Sequence, residues 1–394
     1  MSRILVIVER FYPEDFLVND LVKAWKEAGD EIEVLTQVPS YPFDRIYDGY
    51  ENRRYQVTRE YLDVPVHRVS TVFGYNTSVR RKVLNYLHFG WRTFAWCLRN
   101  GRRFDAVFVY HTAALTMAAG VYPLRLLWRK PVAIWTQDLW PDAVYAYGFR
   151  PTRLRRLLLD SFVRSIYACC TKIAVSCPSY VARIRALTGR EAVYVPQWDP
   201  TEMRVEARTA ENGGDGAAPR KKVFMFAGNL GVPQNLPNLV EGFARAARPD
   251  AELWLVGGGV MLEPLKTLVA ERKITGVVFK GRQPKAEMGR WFAQADALVI
   301  SLSADYRLTF PGKVQSYLKT GRPLLGVLEG DAREMIDVEQ LGLTAPPDDL
   351  DAIARAFRDF PFDLAEEMGA RCLRLSRDRF DRAALVSSLR SLVR

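Results

Sequence analysis

Histidine and paired cysteine are scarce in this chain. Its 394 residues include only three histidines, which argues against a histidine-rich metal site. The five cysteines are odd in number and show no paired spacing of the kind that binds zinc. Since the chain also begins without a signal peptide, we expect reduced thiols and a cytoplasmic protein.

Long apolar runs are also missing. No uncharged apolar stretch reaches the roughly 18 residues that a membrane-spanning helix requires. A hydrophobic content of 48% and a charged content of 26% are typical of a globular chain. With 394 residues the chain is too long for one core of ordinary size, so we expect two domains.

Acidic residues are almost absent from one segment. Between Val64 and Gln137 there are eleven lysines and arginines but one acid, Asp105. This segment therefore carries nearly all of the chain's net charge of +11. A concentrated positive face indicates an anionic partner, such as a membrane surface, a nucleic acid or a charged substrate.

Short β-branched runs alternate with helix-length segments along the chain, which indicates doubly wound parallel sheets. In the first half these runs are residues 3–9, 31–36, 105–110, 131–137, 172–176 and 192–196. In the second half they are residues 223–228, 251–258, 276–281, 297–303 and 323–328.

A polar, glycine-rich stretch at 204–222 interrupts this alternation and is predicted to be a linker. It separates an N-terminal domain, 1–203, from a C-terminal domain, 223–375. We expect the amphipathic segment 376–394 to pack back onto the first domain. The predicted fold class is α/β, with two Rossmann-like domains facing across a cleft and ligands bound beyond the carboxyl ends of the strands.

Glycines and isolated cations follow several strands of the second domain. Glycine lets a backbone approach a ligand, a helix start favours a phosphate, and a lysine or arginine adds charge. The set predicts a diphosphate site without a metal, although each glycine alone is also ordinary turn chemistry and a lone lysine is often solvated. The residues are Gly228, Asn229, Gly231, Gly257, Gly259, Arg282, Gly312 and Lys313.

The order of these segments resembles the C-terminal half of retaining family 4 glycosyltransferases of the GT-B fold, and the resemblance covers nearly the whole chain. "VFMFAGNLGVPQNLPNLVEGFARA", "AELWLVGGG", "VVFKGR" and "VQSYLKTGRPLL" match successive segments. In the first half, "IWTQDLWPDAVYAYG" and "VYVPQWDP" are similar to a subgroup that builds bacterial surface polysaccharides. That subgroup includes colanic-acid and O-antigen fucosamine transferases.

The resemblance implies transfer of a sugar from a nucleotide-sugar, with UDP expected, to a polyprenyl-diphosphate-linked saccharide. It implies retention of configuration and no metal or other cofactor. Two glutamates that the family often carries are replaced by Leu308 and Ser316, so recognition of the donor sugar is left open. A basic residue common early in the first donor helix falls near Gln234, which we keep among the nucleotide-binding candidates.

The predicted chemistry divides between the domains. Lys313 and Arg282 would stabilise the charge that develops on the leaving diphosphate. Asp138, after the strand "PVAIWTQ", is the candidate for positioning the acceptor hydroxyl, with Glu9 and His111 as further acceptor-binding candidates. An alternative with about equal weight is that Asp138 caps a helix or accepts a structural hydrogen bond. For His111 the alternative is a purely structural role.

Residues 77–104 contain seven lysines and arginines, no acid, and interleaved aromatic residues. As a helix this pattern is typical of a segment lying on an anionic membrane, so we expect a peripheral protein on the inner face of the cell membrane. Alternatively, the aromatic residues belong to the core. A basic and aromatic segment could also bind single-stranded nucleic acid by stacking, but no RNA- or DNA-binding motif accompanies it, so no nucleic-acid partner is expected. The membrane candidates are Arg80, Arg81, Lys82, Trp91, Arg92 and Trp96.

Two other functions stay open from the sequence. A UDP-sugar 2-epimerase also uses two Rossmann-like domains, but typically has more acids and histidines in its cleft. A non-catalytic protein of the same fold, binding at a membrane surface, is compatible with the absence of the glutamate pair.

Overall fold

The structure is a computed structural model that describes residues 2–75, 77–142, 144, 152–201 and 220–394. The chain divides into two units, one formed by Met1–Pro200 with Arg382–Arg394 and the other by Thr201–Asp381. Most of the predicted linker lies outside the described residues, and its last residue, Lys222, already belongs to a strand.

The first unit is built on a sheet with the strand order β3-β4-β2-β1-β5-β6-β7-β8. Its strands are Arg3–Val8 (β1), Glu31–Gln37 (β2), Tyr55–Thr58 (β3), Val66–Val69 (β4), Ala106–His111 (β5), Val132–Thr136 (β6), Lys172–Val175 (β7) and Val193–Tyr194 (β8). Its helices before the linker are Leu17–Glu27 (α1), Val79–Asn100 (α2), Arg153–Ala168 (α3) and Pro178–Thr188 (α4).

Burial on both faces explains why the central strands of this sheet are parallel. Ile4 to Val8 are fully buried, and Val6 pairs in parallel register with Val34 on one side and Phe108 on the other. Among the described strands of this sheet, β3 alone runs antiparallel to its neighbour, β4. The sequence prediction missed these two strands because they are four residues long and interrupted by polar side chains.

The second unit contains a sheet with the order β11-β10-β9-β12-β13-β14, in which every pair is parallel. Its strands are Lys222–Ala227 (β9), Ala251–Val256 (β10), Val277–Gly281 (β11), Ala297–Ser301 (β12), Leu324–Val327 (β13) and Gly342–Ala345 (β14). Its helices are Leu236–Ala246 (α5), Leu262–Glu271 (α6), Met288–Gln294 (α7), Lys313–Leu318 (α8), Asp331–Val338 (α9), Leu350–Arg358 (α10) and Ala365–Arg379 (α11). The two α/β units, each built on a mainly parallel sheet, confirm the predicted α/β class with two Rossmann-like domains.

The last helix, Arg382–Ser391 (α12), belongs to the first unit. Its Val386 and Leu389 are part of that unit's core, and the Trp25 indole donates a hydrogen bond to the carbonyl of Val386 at 3.3 Å. The boundary predicted at residue 376 was wrong, since α11 runs through that position and ends at Arg379.

Strand order places the loops where a ligand is expected. In the first sheet β1 lies between β2 and β5, and in the second β9 lies between β10 and β12. At such positions the connections leave the sheet in opposite directions and open a crevice at the carboxyl ends of the strands. Glu9 and His111 lie at this edge of the first unit, and Gly228 lies at the corresponding edge of the second.

Candidate functional site

Three loops of the second unit meet at the carboxyl edge of its sheet. The N–H of Gly228, after β9, donates to the carbonyl of Val256 at 2.8 Å, and the N–H of Leu230 donates to that of Gly258 at 2.9 Å. The N–H of Gly257 donates to the carbonyl of Gly281, at the end of β11, at 2.8 Å. The predicted glycine-rich loops therefore form one connected backbone surface.

Glycine is required where these loops approach each other. A Cβ atom at Gly257 would lie 1.9 Å from the carbonyl oxygen of Gly228, and Gly257 has a φ of +150°. A Cβ atom at Gly259 would lie 2.7 Å from Oδ1 of Asn229. A Cβ atom at Gly228 would lie 2.7 Å from Cε of Lys313. The lysine side chain therefore lies directly against the loops.

Lys313 begins α8, as the sequence predicted, and is held there by packing of that helix. The Tyr317 hydroxyl of the same helix accepts a hydrogen bond from the N–H of Ala227 at 2.9 Å, which ties α8 to the end of β9. Nζ of Lys313 lies 3.4 Å from the centre of the Phe226 ring, is buried, and has no hydrogen-bond partner in the described part of the chain. Burial lowers the pKa of Lys313 to about 7.

The other candidates of the second unit are a loop residue, a residue before α8 and an exposed arginine. Oε1 of Gln234 accepts from the N–H of Gly231 at 3.1 Å, so Gln234 shapes the first loop. Gly312 is an exposed residue that precedes α8. Arg282 is exposed. Its loop joins the site through the carbonyl of Gly281, which accepts from the N–H of Gly257.

The first unit has a cluster of buried charges at the carboxyl edge of its sheet. Glu9 is 3% exposed, and its carboxylate lies 3.3 Å from the guanidinium of Arg10. Arg10 also lies 3.6 Å from Glu14 and donates to the Ser40 hydroxyl at 3.1 Å. Burial raises the pKa of both Glu9 and Glu14, and the positive charge of Arg10 acts against that rise.

His111 ends β5, and Asp138 lies two residues after the neighbouring strand β6. Oδ2 of Asp138 accepts from the N–H of Ala113 at 2.7 Å, and burial raises the pKa of Asp138. Ala113 has a φ of +58°, so one oxygen of Asp138 holds a strained turn. His111 is fully buried, and burial lowers its pKa to about 3, so its imidazole is neutral. The charge of Asp138 contributes to the raised pKa of Glu9, which places these carboxylates in one electrostatic environment.

Groups of metal ligands are not found at either edge within the described ranges. No three histidine, cysteine, aspartate or glutamate side chains there are grouped to hold a metal ion. Asp349, of the one Asp-x-Asp sequence in the second unit, caps α10 by accepting hydrogen bonds from the N–H groups of Asp351 and Ala352. All five cysteines are buried, and none of them forms a disulfide.

The predicted membrane segment is a helix, α2, whose outer face is apolar as well as basic. Arg80 and Arg81 are exposed at its start, and Trp91 is 66% exposed. None of the helices in the described part of the chain is both long and apolar enough to cross a membrane.

Three membrane candidates are not freely exposed. Trp96 is 7% exposed and lies 4.8 Å from the His67 ring, so its assignment to a membrane surface was wrong; it belongs to the core on the inner side of α2. The Arg92 guanidinium is partly buried and donates to the carbonyl of Arg54. Lys82 is partly exposed, and its charge acts to lower the pKa of Glu9. It therefore contributes to the electrostatics of the buried charges around Glu9.

Sequence reasoning missed several polar residues of the first unit. Arg10 and Glu14 lie in the stretch "RFYPED" that follows β1, and the opposite charges four positions apart were the available signal. Gln137 and Gln197 lie in "IWTQDLWPDAVYAYG" and "VYVPQWDP", the two stretches that resemble the surface-polysaccharide subgroup. No sequence pattern marks two uncharged amides as a pair.

Two protein-family models match this chain. Residues 17–198 match the glycosyl transferase 4-like domain, and residues 221–360 match the glycosyl transferases group 1. A curated relative, the probable glycosyltransferase WbjE of Pseudomonas aeruginosa, is 28% identical over 138 residues. That match spans 34% of this chain and 34% of the relative, so it covers about a third of either protein.

Solved structures with the same fold cover nearly the whole chain. A sucrose-phosphate synthase from Thermosynechococcus elongatus aligns with a TM-score of 0.73 and 17% identity, over 100% of this chain and 98% of its own. Anabaena HepE in complex with UDP aligns with a TM-score of 0.68 and 12% identity, over 99% of both chains. At these identities the likeness shows a shared fold, which is GT-B.

Proposed function

Since the chain carries the two domains of a GT-B glycosyltransferase, we propose that it transfers a sugar from a UDP-sugar to a polyprenyl-diphosphate-linked saccharide. The product would serve bacterial cell-surface polysaccharide synthesis, as in the subgroup of colanic-acid and O-antigen fucosamine transferases that the sequence resembles. The proposed reaction retains the anomeric configuration and needs no metal or other cofactor.

The donor assignment is carried by Lys313. A buried ammonium without a hydrogen-bond acceptor among the described residues loses free energy that an anionic ligand restores. The loops around Lys313 contain glycines, which have no side chain to keep a ligand away, so a diphosphate is able to approach the backbone of these loops closely. HepE, of the same fold, is in complex with UDP, which supports UDP as the nucleotide here. Lys313 would stabilise the charge on the departing diphosphate, and the exposed Arg282 is the second candidate for that role.

The acceptor assignment rests on the polar edge of the first unit. Asp138 and Glu9 are carboxylates with raised pKa values, and a carboxylate of that kind suits proton transfer or hydrogen bonding to a hydroxyl. Glu9 is engaged by Arg10, and one oxygen of Asp138 holds Ala113. Of the two, Asp138 remains our candidate for positioning the acceptor hydroxyl, with His111 beside it.

A lipid-linked acceptor is supported by the apolar surface of α2 and α3. On α2, Leu84 is 55% exposed and Leu87 is 56% exposed. On α3, Leu154, Leu157 and Leu158 are each more than 60% exposed. Such a patch marks an interaction site, and the arginines beside it favour an anionic membrane over a neutral protein partner. We define Leu84, Leu87, Trp91, Leu154, Leu157 and Leu158 as the apolar patch.

The two helices of this patch are joined through one segment. The Trp128 indole donates to the carbonyl of Leu98 in α2 at 3.3 Å, and the Tyr122 hydroxyl contacts the Ser165 hydroxyl of α3 at 2.5 Å. Between them, Leu126 is 70% exposed and Leu127 is 55% exposed. Leu126 and Leu127 therefore add exposed apolar side chains in the segment that contacts both helices, which is suited to a surface that rests on the inner face of the cell membrane.

Sugar transfer is the direct test of the function. Purified protein is incubated with a panel of radiolabelled UDP- and GDP-sugars and a bacterial membrane-lipid extract, and labelled lipid is measured. We expect transfer from at least one UDP-sugar, without added metal and in the presence of a chelator. Epimerisation or hydrolysis without an acceptor would instead support a UDP-sugar 2-epimerase, and no nucleotide binding would support a non-catalytic surface protein.

Liposome co-sedimentation tests the membrane surface. We expect binding to anionic vesicles that weakens as the salt concentration rises. Binding should weaken further in the double variant Leu84→Ser with Leu87→Ser, because two apolar side chains that contact the lipid are removed. The matched control is Leu364→Ser with Leu373→Ser in the second unit, where the side chains are 44% and 40% exposed. Reversal of Arg80 and Arg81 to glutamate should also weaken binding.

Failure of the wild-type protein to bind anionic vesicles at low salt would contradict the membrane assignment. A dimer that dissociates in the double variant, measured by light scattering, would show that a second copy covers the apolar patch instead.

A further inference from the structure

The stretch "VPQWDP" is anchored on three sides in the first unit. The Trp198 ring stacks on Trp135 of β6, with ring centres 5.6 Å apart and planes 8° apart. Its indole N–H donates to Asp20 at 2.8 Å, and Asp20 is also held by Arg382 of α12 at 2.7 Å. The Trp135 indole in turn donates to the carbonyl of Val195 at 2.9 Å. Gln197 therefore extends from a rigid segment.

The Gln197 side chain fixes the orientation of a second amide. Its Nε2 donates to Oε1 of Gln137 at 2.5 Å. Gln137 directly follows β6, and its backbone N–H donates to the carbonyl of His111 at 2.8 Å. Because its oxygen faces Gln197, the Gln137 amide directs its NH₂ group away from that residue. That group is buried and has no partner among the described residues.

A second buried atom without a partner lies on the neighbouring strand. Nε2 of His111 makes no hydrogen bond in the described part of the chain, and the residue is fully buried. Leaving a buried polar atom unpaired is unfavourable, so two at one sheet edge require an explanation. Gln137 directly precedes Asp138 in the chain, and His111 is paired in register with Thr136, the residue before Gln137.

The chemistry of these groups selects an uncharged, hydroxyl-bearing ligand. An amide NH₂ donates hydrogen bonds, and a neutral imidazole donates or accepts according to its tautomer. Neither carries a positive charge, and the neighbouring Asp138 carboxylate disfavours an anion such as a phosphate. A sugar hydroxyl donates and accepts at once, and so matches this set.

We propose that Gln197 is a positioning residue that aims the Gln137 amide at a hydroxyl of a sugar bound in the first unit. This proposal rests on the proposed glycosyltransferase function. The hydroxyl belongs either to the transferred sugar of the donor or to the acceptor saccharide, and kinetic constants for each substrate separate the two sources.

Gln197→Ala and Gln197→Glu are the informative variants. Alanine frees the Gln137 amide to rotate. A glutamate of the same size accepts a hydrogen bond from Gln137, so the amide turns and presents its oxygen to the sugar. Since one hydrogen bond is lost or reversed, we expect kcat/KM for transfer to fall about tenfold in both variants. The dissociation constant for UDP, measured by calorimetry, should stay at the wild-type value because UDP contacts are assigned to the second unit.

A double variant tests whether Gln197 acts through Gln137. If it does, Gln197→Ala causes no further loss in a Gln137→Ala background. Gln56→Ala is the control, because Gln56 is a partly exposed glutamine of the same unit that donates to the carbonyl of Glu51 at 3.0 Å. We expect wild-type kinetics for that control and wild-type melting temperatures for the Gln197 variants.

Additive losses in the double variant, or an unchanged kcat/KM in Gln197→Ala, would overturn the positioning role while leaving the transferase function in place. Absence of transfer by the wild-type protein would remove the proposed function and this proposal with it. A rise in KM for the nucleotide-sugar alone identifies the hydroxyl as the donor's, and a rise in KM for the acceptor alone identifies it as the acceptor's.

Discussion

The carboxyl edges of the two sheets handle buried charge in opposite ways. In the second unit one cation, Lys313, lies among glycine loops without an acceptor in the described residues. In the first unit the buried Arg10 is shared between Glu9 and Glu14, so its charge is already compensated. An uncompensated buried charge favours binding of an opposite charge, whereas a compensated cluster fixes geometry. The second unit is thus prepared for an anion, and the first for a neutral, oriented ligand.

The largest effect should follow removal of the uncompensated cation. Lys313→Ala is expected to weaken UDP binding about tenfold to a hundredfold, because a hydrogen bond to a charged group contributes roughly 1.5–3 kcal/mol. Turnover should fall at least about tenfold, since the leaving diphosphate loses its stabilising charge. Calorimetry with UDP and the transfer assay provide the two measurements.

The same variant should be at least as stable as the wild type without ligand, because a desolvated ammonium is removed. A lower melting temperature would indicate that Lys313 has a structural role. Near-normal turnover would contradict its assignment to the leaving group.

A smaller effect should follow a change in the glycine loops. In Gly257→Ala the new Cβ would meet the carbonyl oxygen of Gly228 at 1.9 Å, at a φ of +150° that side chains rarely adopt. We expect this strain to separate the loops and to weaken UDP binding by about tenfold, with a lower melting temperature. Gly258→Ala is the matched control, because nothing lies within 4 Å of its Cβ position. Equal behaviour of the two variants would show that close approach of the loops is not needed.

The same contrast explains what the sequence could predict. A glycine or an isolated lysine that follows a strand can be recognised from the sequence by its residue type and position. Gly228, Gly257 and Lys313 were therefore predicted together, and the structure places them together. The alternation of apolar runs likewise predicted the central strands of both sheets. Short strands such as Val66–Val69 escaped because polar side chains interrupt their pattern.

Amide and ion-pair partners in the first unit were not predictable in the same way. Gln137 and Gln197 are 60 positions apart, and only the fold brings their side chains to 2.5 Å. Trp96 and Trp91 are indistinguishable by residue type, yet one faces His67 inside the unit and the other faces outward. Which face of a helix is buried depends on its neighbours, so composition alone assigned both to the membrane.

The smallest of these effects is a pH dependence confined to the second unit. Because burial lowers the pKa of Lys313 to about 7, the lysine is charged below that pH and largely neutral above it in the free protein. A bound diphosphate favours the charged form, so above pH 7 binding must take up a proton. The affinity for UDP should therefore fall as pH rises above 7, by up to about tenfold per pH unit. Lys313→Arg should abolish this dependence, since arginine stays charged.

Calorimetry at pH 6.5, 7.5 and 8.5, in buffers of different ionisation enthalpy, measures both affinity and proton uptake. A constant affinity without proton uptake would mean that Lys313 remains charged in the free protein, and the contrast with the compensated Arg10 would then lose its electrostatic basis.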